Sequence, residues 1–585
     1  MTYDLNNKNN AKNYSSWVAA KKLWPLLAEE KKILIFAIMA VLTTALLNLT
    51  APRLIAHAID TYIAKNDYHG VLVYAGIILL LYLCALVTSY LQTRLMGGVG
   101  QRVLYRLRNK IFNKLQSLPV AFFNENKAGD LISRINNDTD KINQFFSQSL
   151  VQFFGNIFLM IGAAIFLISL HPSLGTTTLA PALVLFVITR MLSPWIKKKN
   201  LESSESLGSM SSEVQESLNN FKVIIAFNRR DFFKKRFQKV NNVNYTAAIK
   251  AGIANITFTP LYGLASNIGQ LIVLAYGIAL IANGQFTIGL LISFLSYANS
   301  FYTPLRQIAA LWANFQTALA SWDRVYAILV LENNLPILTK TTTTISEAIL
   351  EMNAVNFAYH NGKEVLHNIN ITLEKGKTYA LVGPTGGGKT TTASLIARLY
   401  DPTGGTIFLN GKDIRNYTDA ERTKKIGVIL QEPILFTGTV RENILYGNND
   451  YAEYSSDMLE TVLKDAGLER LLERFDKGLE TPLTASGDAV SLGQKQLIAF
   501  IRAVLRNPDI LILDEATANI DTVTEQLLEE ILHNLPTTTT NIIIAHRLNT
   551  IENADEIFFV NSGEVLQAGS KEHALEMLLH HERKS

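Results

Sequence analysis

Cysteine is almost absent from this sequence of 585 residues, in which Cys84 is the only one. An intrachain disulfide and a cysteine-based metal cluster are therefore excluded. The net charge is only +4, and no basic block with interleaved aromatic residues is present, so we expect no nucleic-acid partner. The start of the chain is polar and lacks the short apolar core and cleavage site of a signal peptide. We therefore expect insertion into a membrane to depend on later segments.

Long apolar runs are concentrated in the first 330 residues. A helix needs about 20 mostly apolar residues to cross the hydrocarbon core of a bilayer. Six segments meet this requirement, at residues 33–51, 71–91, 150–170, 176–196, 256–281 and 286–311. Short turns alternate with long charged connections, which predicts three membrane hairpins. A soluble helical bundle is the alternative, but six such segments with a marked charge asymmetry favour the membrane.

The distribution of Lys and Arg predicts the orientation of these segments. Positive charge flanks the first segment and fills the long connections, whereas the turns after the third and fifth segments contain neither residue type. Because Lys and Arg favour the cytoplasmic side, we expect both termini and both long connections in the cytoplasm of a multi-pass protein of the cell (cytoplasmic or inner) membrane. No Asp or Glu within the segments stands out as an ion relay, so the energy source is expected elsewhere in the chain.

The second half of the chain contains a strand, a glycine-rich loop and a helical pattern in direct succession. The apolar strand 378–382 leads into the loop, and the helical pattern continues to Leu399. The candidate nucleotide-binding residues here are Gly383, Pro384, Thr385, Gly386, Gly387, Gly388, Lys389, Thr390 and Thr391. This context predicts a P-loop for ATP and Mg²⁺. Backbone N–H groups would surround the phosphates, Lys389 would reach the outer phosphates, and Thr390 would offer its hydroxyl to Mg²⁺.

Two further strands end in residues suited to phosphate chemistry. The strand 510–513 is followed by Asp514 and Glu515. We predict that Asp514 holds Mg²⁺ and that Glu515 polarises the attacking water as general base. The strand 541–545 is followed by His546, whose imidazole could contact the γ-phosphate. Taken alone, a histidine at a strand end is more often structural.

The order of these motifs resembles the ATP-binding cassette of ABC transporters, over essentially the whole second half. Within that resemblance, Tyr359 is similar to the aromatic residue that stacks on adenine. Gln431 is similar to the lid glutamine, which implies a catalytic role and contact with Mg²⁺.

The defining signature of the family is also represented. The segment Val490–Gln494 resembles it, which implies nucleotide contacts from Ser491, Gly493 and Gln494. Asp521 and His546 resemble the later loop residue and the switch histidine of the family.

The first half resembles the exporter type of the same family. The segment 122–134 is similar to the first cytoplasmic loop and the segment 216–227 to the second. The resemblance implies short coupling helices that dock onto cassettes close to the region of Gln431. The expected fold is therefore an all-α transmembrane domain of six helices fused to an α/β P-loop NTPase domain. The predicted parts are an N-terminal segment at 1–30, the transmembrane domain at 31–330, a linker at 331–348 and the ATP-binding domain at 349–585.

One membrane domain and one cassette make a half-transporter, so the resemblance implies a second half-transporter chain as partner. The sequence departs from the family pattern at Leu492, where the signature has glycine, and at Ala485 and Ser486, where Glu and Arg are usual. Glu515 is intact. A bulky residue beside a phosphate is unfavourable, so we favour a heterodimer with one weaker ATP site, while a homodimer stays open.

The resemblance also implies ATP-driven export by alternating access. The cargo is expected to be a hydrophobic or amphipathic small molecule, drug-like or lipid. Four aromatic residues, Tyr262, Phe294, Tyr297 and Phe301, either line an apolar cavity or face lipid and neighbouring helices. An ATP-gated channel or regulator of the same architecture is the alternative function.

Overall fold

The computed structural model describes residues 3, 5, 28–332, 335–338, 343, 347–359, 362–448, 450–484, 490–514, 522–533, 535–545, 554–568, 572–574 and 576–577. The chain forms two compact units. The membrane unit comprises Asn7–Gln116 and Gly129–Val330. The cassette unit comprises Leu331–Ser585 together with Met1–Asn6 and Ser117–Ala128. A short segment that lies between two predicted spans in the sequence thus belongs to the cassette unit.

The described residues between 28 and 330 are mainly helical. The helices are α1 Lys31–Ala58, α2 Tyr68–Gln116, α3 Val120–Glu125, α4 Ala128–Ser133, α5 Thr139–Gln144, α6 Leu150–Leu170, α7 Pro172–Asn219, α8 Phe221–Ala226, α9 Arg230–Ile256, α10 Phe258–Ala282 and α11 Ile288–Leu329. Irregular helical turns at Ala28–Glu30, Ile59–Ile63, Arg134–Asp138 and Phe145–Ser149 adjoin them.

Capping residues fix the starts of two long helices. The His171 ring accepts a hydrogen bond from the backbone N–H of Leu174 at 3.2 Å, and Pro172 occupies the first position of α7. The Thr287 hydroxyl accepts from the backbone N–H of Leu290 at 3.2 Å at the start of α11. Both arrangements satisfy N–H groups that the helix itself leaves without a partner.

Five of the six predicted spans lie on helical segments that, in the part of the chain that the structure describes, are long and apolar enough to cross a membrane. The sixth predicted span, 286–311, lies mainly on α11, which has the length but not the apolarity. Serine, tyrosine and asparagine side chains interrupt its apolar face. The membrane crossing of α11 therefore stays a prediction.

The polar residues of α11 pack inside the membrane unit. Phe294 and Tyr297 are fully buried, and the Tyr297 hydroxyl donates to the backbone carbonyl of Leu49 at 2.7 Å. The Ser293 hydroxyl donates to the carbonyl of Pro52 at 2.8 Å. Phe301 packs against the same buried cluster. The hydroxyls of Ser293 and Tyr297 hold α1 against α11, because each finds a buried partner.

The cassette contains three sheets within the described residues. Its strands are β1 Leu350–Ala358, β2 Glu364–Leu373, β3 Thr378–Val382, β4 Gly404–Leu409, β5 Lys412–Asp413, β6 Ile426–Ile429, β7 Gly438–Thr439, β8 Pro482–Leu483, β9 Ile510–Asp514, β10 Thr540–Ile544, β11 Glu556–Asn561 and β12 Glu564–Gln567. An antiparallel sheet has the order β2-β1-β4-β5, and β7 pairs with β8. The central sheet has the order β12-β11-β3-β10-β9-β6 and is parallel except for β12.

Helices complete the cassette. They are α12 Lys389–Ile396, α13 Asp419–Lys425, α14 Val440–Ile444, α15 Ser456–Asp465, α16 Glu469–Leu472, α17 Leu492–Val504 and α18 Thr522–His533. One buried cluster joins α12 to the two large sheets, and a second joins the helices α14 to α18 to β6 and β9. The expected α/β fold of this half is confirmed.

Candidate nucleotide-binding site

The parallel strands of the central sheet bring the predicted site residues to one edge. The P-loop begins directly after β3, and Asp514 is the last residue of β9. Gln431 follows the end of β6 by two residues. The carboxyl ends of parallel strands lie at the same edge of a sheet, and α/β proteins bind their ligands at this edge.

Two P-loop glycines, Gly383 and Gly387, lie too close to β11 to carry a side chain. A Cβ atom on Gly383 would lie 2.0 Å from the backbone oxygen of Val560, and one on Gly387 would lie 2.6 Å from the same atom. Gly383 and Gly388 also have φ angles of +143° and +117°, which only glycine adopts without strain. The loop therefore forms a close-fitting backbone cradle, as phosphate binding requires.

Lys389 lies over this cradle. Its side chain is 5% exposed, and its Nζ donates to the backbone oxygens of Gly383 at 2.8 Å and Pro384 at 3.1 Å. A buried ammonium above backbone N–H groups and a helix N-terminus is a favourable environment for phosphate oxygens. The residues present thus fit a nucleotide.

Tyr359 lies next to the P-loop helix. Its hydroxyl and the Thr391 hydroxyl are 3.0 Å apart, within hydrogen-bonding distance. The ring meets Phe357 edge-on at 4.8 Å and Tyr400 edge-on at 5.3 Å between ring centroids. Tyr359 is 38% exposed, so part of the ring is accessible for stacking on a base.

The predicted magnesium ligands all offer oxygen atoms, which Mg²⁺ prefers. Thr390 is exposed at the first turn of α12, Asp514 is 9% exposed at the sheet edge, and Gln431 is exposed. The donor set fits Mg²⁺. Glu515, Asp521 and His546 lie outside the described residues, as do Ala485 and Ser486.

The signature segment begins helix α17. The Ser491 hydroxyl accepts from the backbone N–H of Gln494 at 3.2 Å, and the Gln494 side chain accepts from the backbone N–H of Ser491 at 2.8 Å. This capping box fixes the helix start. Leu492 is 41% exposed, whereas Gly493 is buried. The bulky side chain therefore projects from the surface where the family has glycine.

Sequence reasoning did not identify Tyr400, which links the site to helix α3. The Asn124 side-chain amide donates to the Tyr400 hydroxyl at 2.7 Å. Burial raises the pKa of the Tyr400 phenol above its ordinary value, so the hydroxyl stays protonated at neutral pH. The first predicted coupling helix thus contacts the cassette beside Tyr359. The signal in the sequence was an aromatic residue four positions after the end of the P-loop helix.

The second predicted cytoplasmic loop, which belongs to the membrane unit, also contains a short helix. Helix α8 coincides with the second predicted cytoplasmic loop, and Phe221, Val223 and Ile225 on it are exposed.

A helical membrane unit and an α/β unit with a P-loop at the edge of its sheet define a membrane-embedded ATPase. The family model described as ABC transporter transmembrane region matches residues 34–305, and the model described as ABC transporter matches residues 366–518. An uncharacterized ABC transporter ATP-binding protein of Bacillus subtilis, YfiC, is 32% identical over 96% of this chain and 93% of its own length. The chain therefore belongs to the ABC transporter family.

Other relatives have a stated cargo in their names. The ATP-dependent lipid A-core flippase of Salmonella typhimurium is 31% identical over 96% of both chains. The fatty acid ABC transporter ATP-binding/permease protein of Mycobacterium tuberculosis is 32% identical over 84% of this chain and 77% of its own length. A solved structure, a bacterial Atm1-family ABC exporter with ATP bound, superimposes with a TM-score of 0.78 over 94% of this chain and 96% of that one at 23% identity.

Several expectations are confirmed. The chain is a multi-pass membrane protein with the fold of an ABC exporter, and its ATPase domain hydrolyses ATP in a reaction coupled to transport. A single membrane domain with a single nucleotide-binding domain is the half-transporter architecture, which requires dimerisation.

Proposed function

We propose that this chain is half of an exporter in the cell membrane, which moves a hydrophobic or amphipathic compound out of the cytoplasm by alternating access. The observation that carries this proposal is the P-loop cradle with Tyr359 beside it, joined through Tyr400 to the loop segment of Asn124. Within the cassette unit, the nucleotide-binding edge thus contacts a segment that lies between two predicted spans in the sequence, as coupled transport requires. The cassette and both termini would lie in the cytoplasm.

The proposed nucleotide contacts follow from the cradle. Tyr359 would stack on the adenine, and Lys389 would turn from the carbonyls of Gly383 and Pro384 towards the outer phosphates. The loop residues from Gly383 to Thr391 would surround the phosphates with N–H groups. The nucleotide held by the partner subunit would be contacted by Ser491, Gly493, Gln494 and Asp521.

The proposed catalytic residues surround a magnesium site. Thr390, Gln431 and Asp514 would hold Mg²⁺, which neutralises phosphate charge when bound. Glu515 would accept the proton of the attacking water, with Gln431 and His546 orienting water and γ-phosphate.

We propose a heterodimer, with the homodimer as the alternative. The proposal is supported by Leu492, which is exposed at the start of α17. Its side chain would occupy space next to the phosphates of the nucleotide in the partner subunit. In this proposal the P-loop and Glu515 of this chain form part of the active ATP site. Its signature forms part of the other, weaker ATP site. Sizing of the purified chain, followed by an ATPase assay with and without a candidate partner, tests the proposal. Full ATPase activity of the chain alone would favour the homodimer.

The cargo class is proposed from the relatives whose names give one, a lipid A-core flippase and a fatty acid transporter. Both cargoes combine a hydrocarbon part with a polar part. The test is transport into proteoliposomes: uptake of an amphipathic substrate against its gradient, dependent on ATP and Mg²⁺, supports export. Flux only down a gradient would instead support the ATP-gated channel, the alternative function.

A further inference from the structure

A cavity of about 960 Å³ lies inside the membrane unit, between α7, the start of α10 and the second half of α11. Its lining combines two cations, several amides and aromatic rings. The lining residues that matter here are Lys197, Asn200, Asn255, Tyr262, Arg306 and Trp312. Among the described residues that line the cavity there is no Asp or Glu.

Neither cation pairs with an acidic residue that the structure describes. Lys197 and Arg306 make no ion pair within 4.0 Å anywhere in the described part of the chain, whereas the nearby Lys199 pairs with Glu202 at 2.8 Å. Asn200 and Asn255 bond each other through their side-chain amides at 3.0 and 2.9 Å. The cavity thus carries two uncompensated positive charges beside neutral donors. Such a lining favours an anion, since charge-assisted hydrogen bonds are stronger than neutral ones.

The predicted spans place the cavity at the level of the lipid headgroups on the cytoplasmic side. Lys197 directly follows the predicted span 176–196, and Arg306 lies near the end of the predicted span 286–311. The aromatic residues Tyr262 and Trp312 suit this interfacial depth.

A separate apolar groove of about 320 Å³ lies along α7 and α10. All residues that line it are apolar, including Pro181, Ile188 and Leu261. Leu261 adjoins Tyr262 in the cavity, and Ile188 lies about 7.5 Å along the helix axis from Ser193, a further cavity residue. The groove therefore lies beside the charged cavity and nearer the middle of the predicted spans 176–196 and 256–281.

We propose that this cavity and groove form the entry site for an amphipathic anion. The carboxylate or phosphate would lie between Lys197 and Arg306, and the hydrocarbon chain would lie in the groove between α7 and α10. This inference rests on the proposed export function and narrows its substrate class to anionic amphiphiles. Neutral and cationic amphiphiles would lack the charge interaction on which the headgroup position depends.

Fluorescence quenching tests the site without relying on activity. The full-length chain is placed in zwitterionic nanodiscs and titrated with a nitroxide-labelled fatty acid, its phosphate analogue and its neutral methyl ester. Trp312 lines the cavity, whereas the exposed Trp195 is not among its lining residues. We expect both anions to quench a component that Trp312→Phe removes and that Trp195→Phe retains.

Substitutions distinguish specific anion binding in the cavity from nonspecific attraction of anions to basic residues. We expect Lys197→Gln and Arg306→Gln each to weaken anion binding about tenfold, which corresponds to about 1.4 kcal/mol, and to leave ester binding unchanged. Lys198→Gln is the matched control, since Lys198 does not line the cavity, and it should bind as wild type. Lys197→Arg and Arg306→Lys keep the charge and should retain binding. Equal anion binding by Lys197→Gln, Arg306→Gln and wild type, or equal weakening by Lys198→Gln, would overturn the proposal.

Comparison of the labelled fatty acid with its phosphate analogue identifies the chemical class of the anion. Tighter binding of the single-chain carboxylate supports a fatty acid, and tighter binding of the phosphate supports a phospholipid-like cargo. Failure of the inference is distinct from failure of the proposed function. ATP-driven transport of a neutral amphiphile that is insensitive to Lys197 and Arg306 contradicts the anion site alone. Anion binding without any ATP-driven transport contradicts export and leaves the anion site supported.

Discussion

The side-chain amide of Asn124 donates a hydrogen bond to the Tyr400 hydroxyl at 2.7 Å, across 276 residues of sequence. Asn124 lies on the short helix between two predicted membrane spans, and Tyr400 meets Tyr359 edge-on at 5.3 Å. Phe122 on the same helix is fully buried against the ring of Tyr3. Within the cassette unit, a continuous set of contacts therefore joins the candidate adenine-stacking residue to the segment Ser117–Ala128, which lies between two predicted spans in the sequence.

Removal of this hydrogen bond should separate ATP hydrolysis from transport. We expect Asn124→Ala to reduce transport several-fold while ATP turnover stays within about twofold of wild type, since a single hydrogen bond contributes about 1 kcal/mol. Transport and turnover are measured on the same proteoliposomes.

Tyr400→Phe provides the matched variant, because it removes the acceptor and keeps the ring. If the two residues act through their mutual bond, the double variant should lose no more transport than either single variant. Additive losses would show that Asn124 and Tyr400 act separately.

Two P-loop glycines allow the cost of a steric clash to be compared with the cost of backbone strain. Gly387→Ala places a Cβ 2.6 Å from the Val560 backbone oxygen, so we expect a loss of about 1 to 3 kcal/mol of stability. Gly386→Ala meets no atom within 4 Å but has a φ of +84°, so it should cost about 1 kcal/mol through strain alone. Thermal unfolding of both variants without nucleotide measures the difference. A larger loss for Gly386→Ala would mean that the loop yields readily at Gly387.

Much of the architecture could be predicted from the sequence, because its signals are local. The spans follow from apolar length, and the P-loop follows from glycines between a strand and a helix. α6 coincides with the predicted third span, 150–170. For α11, the helix was predicted, but its buried serines and tyrosines lower its apolarity below that of the other spans.

The contacts between distant residues could not be predicted in the same way. Nothing near Asn124 in the sequence indicates Tyr400, and nothing near Lys197 indicates Arg306. Each pair forms part of one site only through the packing of separate elements. The roles assigned to Glu515 and His546 depend on the family resemblance and stay predictions.

Substitution of the predicted general base should stop hydrolysis without preventing binding. We expect Glu515→Gln to lower ATP turnover by at least about a hundredfold, within the usual effect of a general base, and to retain ATP affinity. ATPase rates and equilibrium binding of a fluorescent ATP analogue measure the two effects. The control is Glu530→Gln on α18, an exposed carboxylate paired with Arg470 at 3.0 Å, which should leave both unchanged. Undiminished turnover by Glu515→Gln would remove this residue from the reaction.

Leu492 provides the test of the weaker ATP site. Its side chain is 41% exposed at the first position of α17, beside the Ser491 cap. Leu492→Gly removes the bulk at the surface that would face the partner's nucleotide, while the cost in helix propensity is about 1 kcal/mol or less. We therefore expect ATP turnover to rise by about threefold or more, equivalent to about 0.7 kcal/mol of transition-state stabilisation. Leu492→Val keeps a branched side chain and should not raise turnover. If Leu492→Gly has the turnover of wild type, the leucine does not limit the site, and the main argument for a heterodimer is lost.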